Sequence, residues 1–310
     1  MKVFRLADIT LSELPNDGTA VALGRFDGVH IGHGGLISAM VDYARTNRLV
    51  PVVWVVNCTC RDRCDGEGCK GELLTNTSEK LALFRDLGVA YAVVEDFVDI
   101  SHLSPYDFVT QKLHAALNCR VAFCGDNFRF GKGAQGDAAT LREQMTAVGG
   151  QGFVQPFVTT LGEIVSSSAI RTALAKGDMK SATAMLGRAF SIRGTVVHGA
   201  KLGRKLGFPT ANIPYPREKF TLPRGVYLSR FWVDDVWYPA VTNIGTRPSA
   251  GGGAVQAEAH LLDFAGDLYG KNATVELHEF LRPERKFASL DELREQIAVD
   301  VARARVGNEE

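Results

Sequence analysis

From residue 20 onward, short apolar runs alternate with stretches in which apolar residues recur every three or four positions, as a parallel sheet with helical crossovers requires. The runs predict strands at Ala20–Leu23, Val52–Val56, Val89–Val94, Arg120–Cys124 and Phe153–Phe157. Between them, Leu36, Ile37, Met40, Val41 and Ala44 mark one helix. Leu81, Phe84 and Leu87 mark a second, with a cap at Thr77 or Ser78. Ser104-Pro105 reads as the cap and first-turn proline of a third, and Asp137 or Thr140 as the cap of a fourth. This is the pattern of a doubly wound α/β domain with ligands at the carboxyl ends of its strands. Leu174–Leu186 reads as one more helix, and after Gly187 the texture changes to short strands and turns. The domain boundary is therefore placed near 187, giving domains 1–186 and 187–310. Val226–Trp232, Trp237–Val241, Ala257–Leu262 and Thr274–Phe280 have the cadence of a small antiparallel barrel. Ser289 and Glu292 form a capping box opening a last helix with an apolar stripe of Leu293, Ile297 and Val301.

The length of 310 residues suits two domains, each with its own core. Basic and acidic residues balance at 35 each, so there is no electrostatic footprint for nucleic acid or an anionic membrane, and small-molecule substrates are favoured. The longest clean apolar run, Leu49 to Val56, is far short of the roughly 20 residues that span a bilayer. The first residues lack the apolar stretch of a secretory signal, and a cytoplasmic location is expected. Cys58, Cys60, Cys64 and Cys69 crowd together without a Cys-x-x-Cys pair, spacings poor for tetrahedral thiolate ligation. They read as a polar surface loop of reduced thiols, with a metal site as the alternative.

The first predicted strand runs into Gly24-Arg-Phe-Asp-Gly-Val-His-Ile-Gly-His33, which leads directly into the first helix. Two imidazoles three residues apart at a helix N-terminus form a cradle for a phosphate chain, which the helix dipole also attracts. The same pair could instead cap the helix or bind metal. The segment resembles the Gly-x-Phe-Asp-Gly-Val-His-x-Gly-His motif of bacterial flavin adenylyltransferases. Gly125-Asp-Asn-Phe-Arg-Phe-Gly131 is similar to that family's second nucleotide motif, and Val165-Ser-Ser-Ser-Ala-Ile-Arg171 to its Ser-Ser-Thr-x-Ile-Arg. The resemblance implies a Rossmann-like nucleotidyltransferase domain with a nucleotide site of Gly24, Phe26, Asp27, Gly28, His30, His33, Asn127, Arg129, Ser167, Ser168 and Arg171. Arg25 stands where the family usually has Asn, and Ser168 where it usually has Thr. Asn57-Cys-Thr-Cys-Arg-Asp-Arg-Cys64 replaces a Thr-Phe-x-Pro-His-Pro type of segment.

Arg193 to Pro214 gathers Gly199, Gly203 and Gly207, which let backbone N–H groups approach phosphate oxygens, with the cations Lys201, Arg204 and Lys205. No Walker A spacing occurs. Phe208-Pro209 stiffens the exit, and Thr210 and Asn212, two apart on an extended segment, face the same side, as sharing a hard cation such as Mg²⁺ requires. This run closely resembles the riboflavin kinase signature. The resemblance continues through Gly225-Val-Tyr, Asn243–Pro248, Glu258–Phe264, Leu268–Lys271 and Phe280–Phe287, about the last 120 residues. It implies a Greek-key barrel, ATP bound by Gly199, Lys201, Gly203, Arg204, Gly207, Phe208, Pro209, Thr210 and Asn212, and Mg²⁺ held by Thr210 and Asn212. It further implies Glu258 as catalytic base and flavin contacts from Arg282, Glu284 and Phe287. Strand alternation puts Glu258 and His260 on one face. Gly251-Gly-Gly253 is expected to be a mobile flap over the flavin pocket.

Together these expectations describe a bifunctional enzyme that phosphorylates riboflavin to FMN and adenylylates FMN to FAD, with ATP and Mg²⁺ in each domain. The second reading is a riboflavin kinase whose N-terminal half is a silent nucleotide- or metal-binding module.

Overall fold

A computed structural model describes residues 1–5, 17–57, 73–199, 202–246 and 254–307. Lys201, Cys58, Cys60, Cys64, Cys69 and the Gly251–Gly253 flap lie outside the described residues. The chain forms two compact units, residues 1–69 with 75–167, and 70–74 with 168–310.

The first unit is a parallel sheet of β1 (Lys2–Phe4), β2 (Thr19–Gly24), β3 (Val50–Asn57), β4 (Tyr91–Asp96), β5 (Cys119–Gly125) and β6 (Gln151–Gln155), in the order β1-β4-β3-β2-β5-β6. The chain steps from β2 to β3 on one side and later to β5 on the other, so the order reverses around β2 and opens a crevice at its carboxyl end. The central strands β2, β3 and β5 are apolar at nearly every position because both faces are covered. Ala20, Ala22, Val53 and Val55 pack with α1 (Ile31–Thr46) and Phe84 of α2 (Thr77–Asp86). Val21, Leu23, Val52 and Trp54 pack on the opposite side with Leu113 and with Leu141 and Met145 of α3 (Ala138–Ala147). The apolar stripe expected on the first helix is buried throughout.

Side-chain chemistry sets the helix starts. Asn76, not Thr77 or Ser78, caps α2: its Oδ1 accepts from Glu79 N at 2.9 Å while Glu79 Oε2 accepts from Asn76 N at 2.9 Å. Ser104 caps the helical stretch that begins at Pro105 by accepting from Asp107 N, and Asp137 caps α3 by accepting from Thr140 N. Leu174–Leu186 is not one helix. It divides into α4 (Ser167–Ala175) and α5 (Met179–Leu186) because Gly177 turns the chain at φ 73° and Asp178 caps a fresh start. Both helices beyond Ser167 belong to the second unit, with Gly177 against the Phe280 ring.

The second unit is an antiparallel sheet of β7 (Phe190–Thr195), β8 (Ala211–Pro214), β9 (Gly225–Val233), β10 (Val236–Thr246), β11 (Val255–Leu261) and β12 (Asn272–Pro283). Its order is β7-β12-β9-β10-β11-β8, in which β12 returns beside β9 as a Greek key requires. Val197 N donates to the Asn212 carbonyl, so the chain beyond β7 meets β8 and the sheet nearly closes into a barrel. Tyr227, Phe231, Ala240, Ile244, Ala257, Ala259 and Leu277 fill its interior. Val226, Leu228 and Val241 on the outer face pack with Ala304 and Val301 of α6 (Leu290–Gly307).

Replacing Asn76 by Ala removes the Oδ1 that accepts from Glu79 N and leaves the backbone N–H that donates to Glu79 Oε2. A loss of about 1 kcal/mol in unfolding free energy is expected, measured as a lower urea midpoint with unchanged slope.

Candidate functional site

In the first unit the site grows from the tight turn after β2. Phe26 (φ 48°) and Val29 (φ 39°) are held in the left-handed region that side chains avoid, a strain of roughly 1–3 kcal/mol each. Packing enforces it: Phe26 is buried against Phe84 and against the edge of His33. A Cβ at Gly24 would lie 2.9 Å from the Phe26 ring, so the turn needs glycine there. Thr75 staples the turn from outside, its N–H donating to Asp27 Oδ1 at 3.2 Å and its hydroxyl accepting from Gly28 N at 2.9 Å. Lys80 Nζ donates to the Arg25 carbonyl, and Ser167 Oγ to the Asp27 carbonyl at 2.8 Å.

The turn delivers His30 to the N-cap of α1, where its Nδ1 accepts from His33 N at 3.3 Å. Capping and pairing thus coexist: the two rings stack with centroids 3.6 Å apart. An Nδ1 that accepts leaves the proton of a neutral His30 on Nε2. Burial first, then the nearby His30 and Lys80, hold the His33 pKa well below its usual 6.5, so His33 is neutral at physiological pH. Its Nδ1 is buried with no hydrogen-bond partner among the described residues. Gly24, Phe26, Asp27, Gly28, His30 and His33 are therefore brought together in one turn and helix start. Asn127 is exposed on the turn that leaves β5, the strand beside β2, so it emerges from the same sheet edge. Arg129 is exposed and ion-paired to Asp137 at 3.6 Å. Ser168 and Arg171 lie on α4 just after the anchored Ser167. Cys119 and Cys124 are packed in the core, where burial pushes both thiols up to about 12, out of the reactive range.

In the second unit the register of three strands makes the site. Asn212 of β8 pairs with Glu258 of β11, which pairs with Asn243 of β10, so the three side chains form a row on the outer face of the barrel. The Gly-rich segment lies against this row. A Cβ at Gly199 would run into the Asn212 amide, His260 Nδ1 is 2.8 Å from the Pro209 carbonyl, and Phe208 meets the His260 ring edge-on. Gly203 and Arg204 sit not in an open loop but in one helical turn, Leu202–Leu206, closed by Phe208 N donating to the Gly203 carbonyl, with Gly207 just beyond. Asn212 is only 4 % exposed, and its Oδ1 has no hydrogen-bond partner among the described residues. Thr210 is half-buried two residues before it.

Of the residues expected near the flavin, Glu284 accepts from Asn243 Nδ2 at 3.1 Å and so joins the row. Arg282 is bound to the buried Asp300 of α6, donating from Nε and Nη2 at 3.1 and 2.7 Å, and its guanidinium lies 5.8 Å from the Phe287 ring. The sequence reading omitted Asn243, Gln256, Asp300, Thr75 and Lys80 from the sites. Asn243 stood inside a quoted motif and Gln256 two positions before Glu258, so a period-two search from Glu258 would have found Gln256. The others reach their partners across tens of residues, where no local pattern signals them.

The two units have the frame of a two-domain transferase: a helix start carrying paired imidazoles at a Rossmann-like switch point, followed along the chain by a barrel with a polar row beside a glycine-rich segment. The family description of FAD synthetase matches residues 13–169, and that of riboflavin kinase residues 186–307. The chain is 37% identical over 297 residues to the bifunctional riboflavin kinase/FMN adenylyltransferase of Escherichia coli K12, covering 95% of this chain and 94% of that protein. It is 38% identical over 299 residues to the protein of the same name from Pseudomonas fluorescens, covering 93% and 92%. A crystal structure from Streptococcus pneumoniae described as a macrolide-efflux protein superposes with TM-score 0.85 at 26% identity, over 98% of this chain and 99% of that one. The chain belongs to the bifunctional riboflavin kinase/FMN adenylyltransferase family. Both halves match, so the silent-module reading is not favoured.

Because His33 is held neutral in the fold while an unfolded histidine takes up a proton near 6.5, its contribution to stability is intact above that pH and is lost as pH falls below it. The unfolding free energy should drop by up to about 1.4 kcal/mol per pH unit in that window, and His33→Asn should flatten the slope. Urea midpoints taken between pH 7 and 5 on both proteins provide the check.

Proposed function

We propose that the barrel unit phosphorylates riboflavin with Glu258 as general base and that the α/β unit adenylylates the resulting FMN at the His30–His33 helix start, both consuming ATP. The observation that carries the kinase half is the row Asn212, Glu258 and Asn243, with the glycine-rich segment folded against it. An alcohol does not attack phosphorus while it keeps its proton, so a carboxylate at the reacting end is needed. Glu258 takes the proton of the ribityl hydroxyl as that oxygen attacks the γ-phosphorus. The bond to the β-phosphate oxygen breaks, and ADP leaves. The Arg204 guanidinium neutralises charge on the phosphates, while Glu284 and Phe287 orient the flavin. For Arg282, the bidentate bond to Asp300 favours a framing part over direct flavin contact.

The donors at Asn212 and Thr210 fit Mg²⁺: a buried amide oxygen lacking a hydrogen bond and a hydroxyl two residues away are hard ligands on one side of the chain. Mg²⁺ bound there would neutralise charge on the triphosphate oxygens.

In the α/β unit the nucleophile is a phosphate of FMN, already an anion at neutral pH, so positioning and charge neutralisation suffice. An FMN oxygen attacks the α-phosphorus of ATP and pyrophosphate leaves. His30 offers its Nε2–H to the phosphate chain, the α1 N-terminus adds its dipole, and Asn127 and Ser167 complete the site in this reading. A cytoplasmic setting fits the ATP both reactions consume. Among the described residues, no helix is long and apolar enough to cross a membrane.

Two measurements test the assignments, both made with purified protein, ATP, Mg²⁺ and chromatographic separation of flavins. Glu258→Gln should cut FMN formation by about 10²- to 10⁴-fold while leaving ATP affinity nearly unchanged; near-normal turnover removes Glu258 from the role of base. His30→Ala or His33→Ala should abolish FAD formation from FMN and spare FMN formation from riboflavin. Loss of both activities, or of neither, contradicts the separation of sites.

A further inference from the structure

The face of β11 that carries Glu258 also carries Gln256 and His260, since alternate residues of a strand point the same way. Gln256 is 9 % exposed, and its Nε2 donates to Glu258 Oε1. An ionised carboxylate only accepts, so this contact fixes which end of the Gln256 amide faces it. The neighbouring amides are turned elsewhere: Asn243 Nδ2 donates to Glu284 and Asn212 Nδ2 to the Thr210 carbonyl. On the flanking strands Gln256 lies opposite Pro214 and Gly245, and the space over Gly245 is taken by the Glu284 carboxylate.

We infer that Gln256 is a positioning residue for riboflavin phosphorylation, its side-chain amide holding Glu258 in the rotamer that presents the carboxylate to the substrate alcohol. The inference rests on the reading of Glu258 as base. A glutamate on an outer strand face has three rotatable bonds, and a base that must meet one hydroxyl loses rate for every rotamer that points away. Two consequences separate positioning from mere packing. The N–H bond favours the ionised form, so its removal raises the affinity of Glu258 for a proton and moves the acid limb of the kcat profile to higher pH. The other titratable neighbours, His260 on the same strand and Glu284 held by Asn243, are present in both proteins, so the difference isolates Gln256.

The test uses the full-length Gln256→Met variant, similar in length and unable to donate. FMN formation should fall in kcat on the order of 10- to 100-fold, with KM for ATP little changed and the acid limb moved upward. FAD formation from added FMN should stay normal, which reports an intact protein. In a Glu258→Gln background the same substitution should cause no further loss. Wild-type kcat and pH profile in Gln256→Met overturn the inference, and so does a defect that persists undiminished in the Glu258→Gln background. Wild-type turnover in Glu258→Gln alone overturns the base, and the positioning role with it. Should Gln256→Met fail to fold, Gln256→Asn draws the amide one methylene away from the carboxylate. It carries the same expectation with a smaller loss, and a wild-type profile in it again overturns the inference.

Discussion

The kinase half depends on one constraint, the pairing register of β8, β11 and β10. With Asn212 opposite Glu258 and Glu258 opposite Asn243, three polar side chains from segments far apart in sequence stand in line on the outer face. Because strand side chains alternate, a slip of β11 by one residue would send Glu258 into the barrel interior, away from Asn212 and Asn243, and bring Ala257 and Ala259 outward. The register is held by the cost of that exchange. The interior is packed with Tyr227, Phe231, Ile244 and Leu277, and the buried hydroxyls of Ser229 and Thr242 satisfy each other at 2.7 Å. Burying an unpaired carboxylate there would be far more costly than any outer-face gain.

The α/β half solves a different problem, placing two imidazoles at a helix start with one of them held neutral. Two non-glycine residues in the left-handed region mark where conformational energy is spent. Buried aromatic packing from Phe26 to Phe84 and the Thr75 staple hold the turn in place. The stacked pair then excludes a second positive charge: His33, desolvated beside His30 and Lys80, stays neutral and offers hydrogen bonds without adding a cation. A protonated pair would attract phosphate more strongly, but would carry the desolvation cost of a buried charge whenever the nucleotide is absent.

In the proposed reading the two halves use different folds to the same end, bringing backbone N–H groups and fixed dipoles to a phosphate chain. In the parallel sheet the helix N-terminus at the switch point does this without special sequence beyond a tight turn. In the barrel the proposed counterpart is the single helical turn at Leu202–Leu206 with the glycines around it.

Much of this was legible in the sequence. The central strands β2, β3 and β5 were predicted to within a few residues because buried parallel strands are continuous apolar runs, and α1 because its stripe falls on one face, whereas β1, β7 and β8 were not predicted. Gly24–His33, Arg193–Pro214 and Glu258 stood out because chemistry on a single turn or strand is local. The cap at Asn76 and the break at Gly177 were missed for the opposite reason: capping and a left-handed glycine depend on backbone geometry that several adjacent residues could supply equally well. Tertiary structure alone decided which distant groups meet: Thr75 with Asp27, Lys80 with Arg25, Arg282 with Asp300, and the row Asn212–Glu258–Asn243. A sequence records the period of its elements because hydrophobic burial acts on each element's own face. It does not record register and crossing between elements, since those are fixed only when many side chains from all of them pack at once.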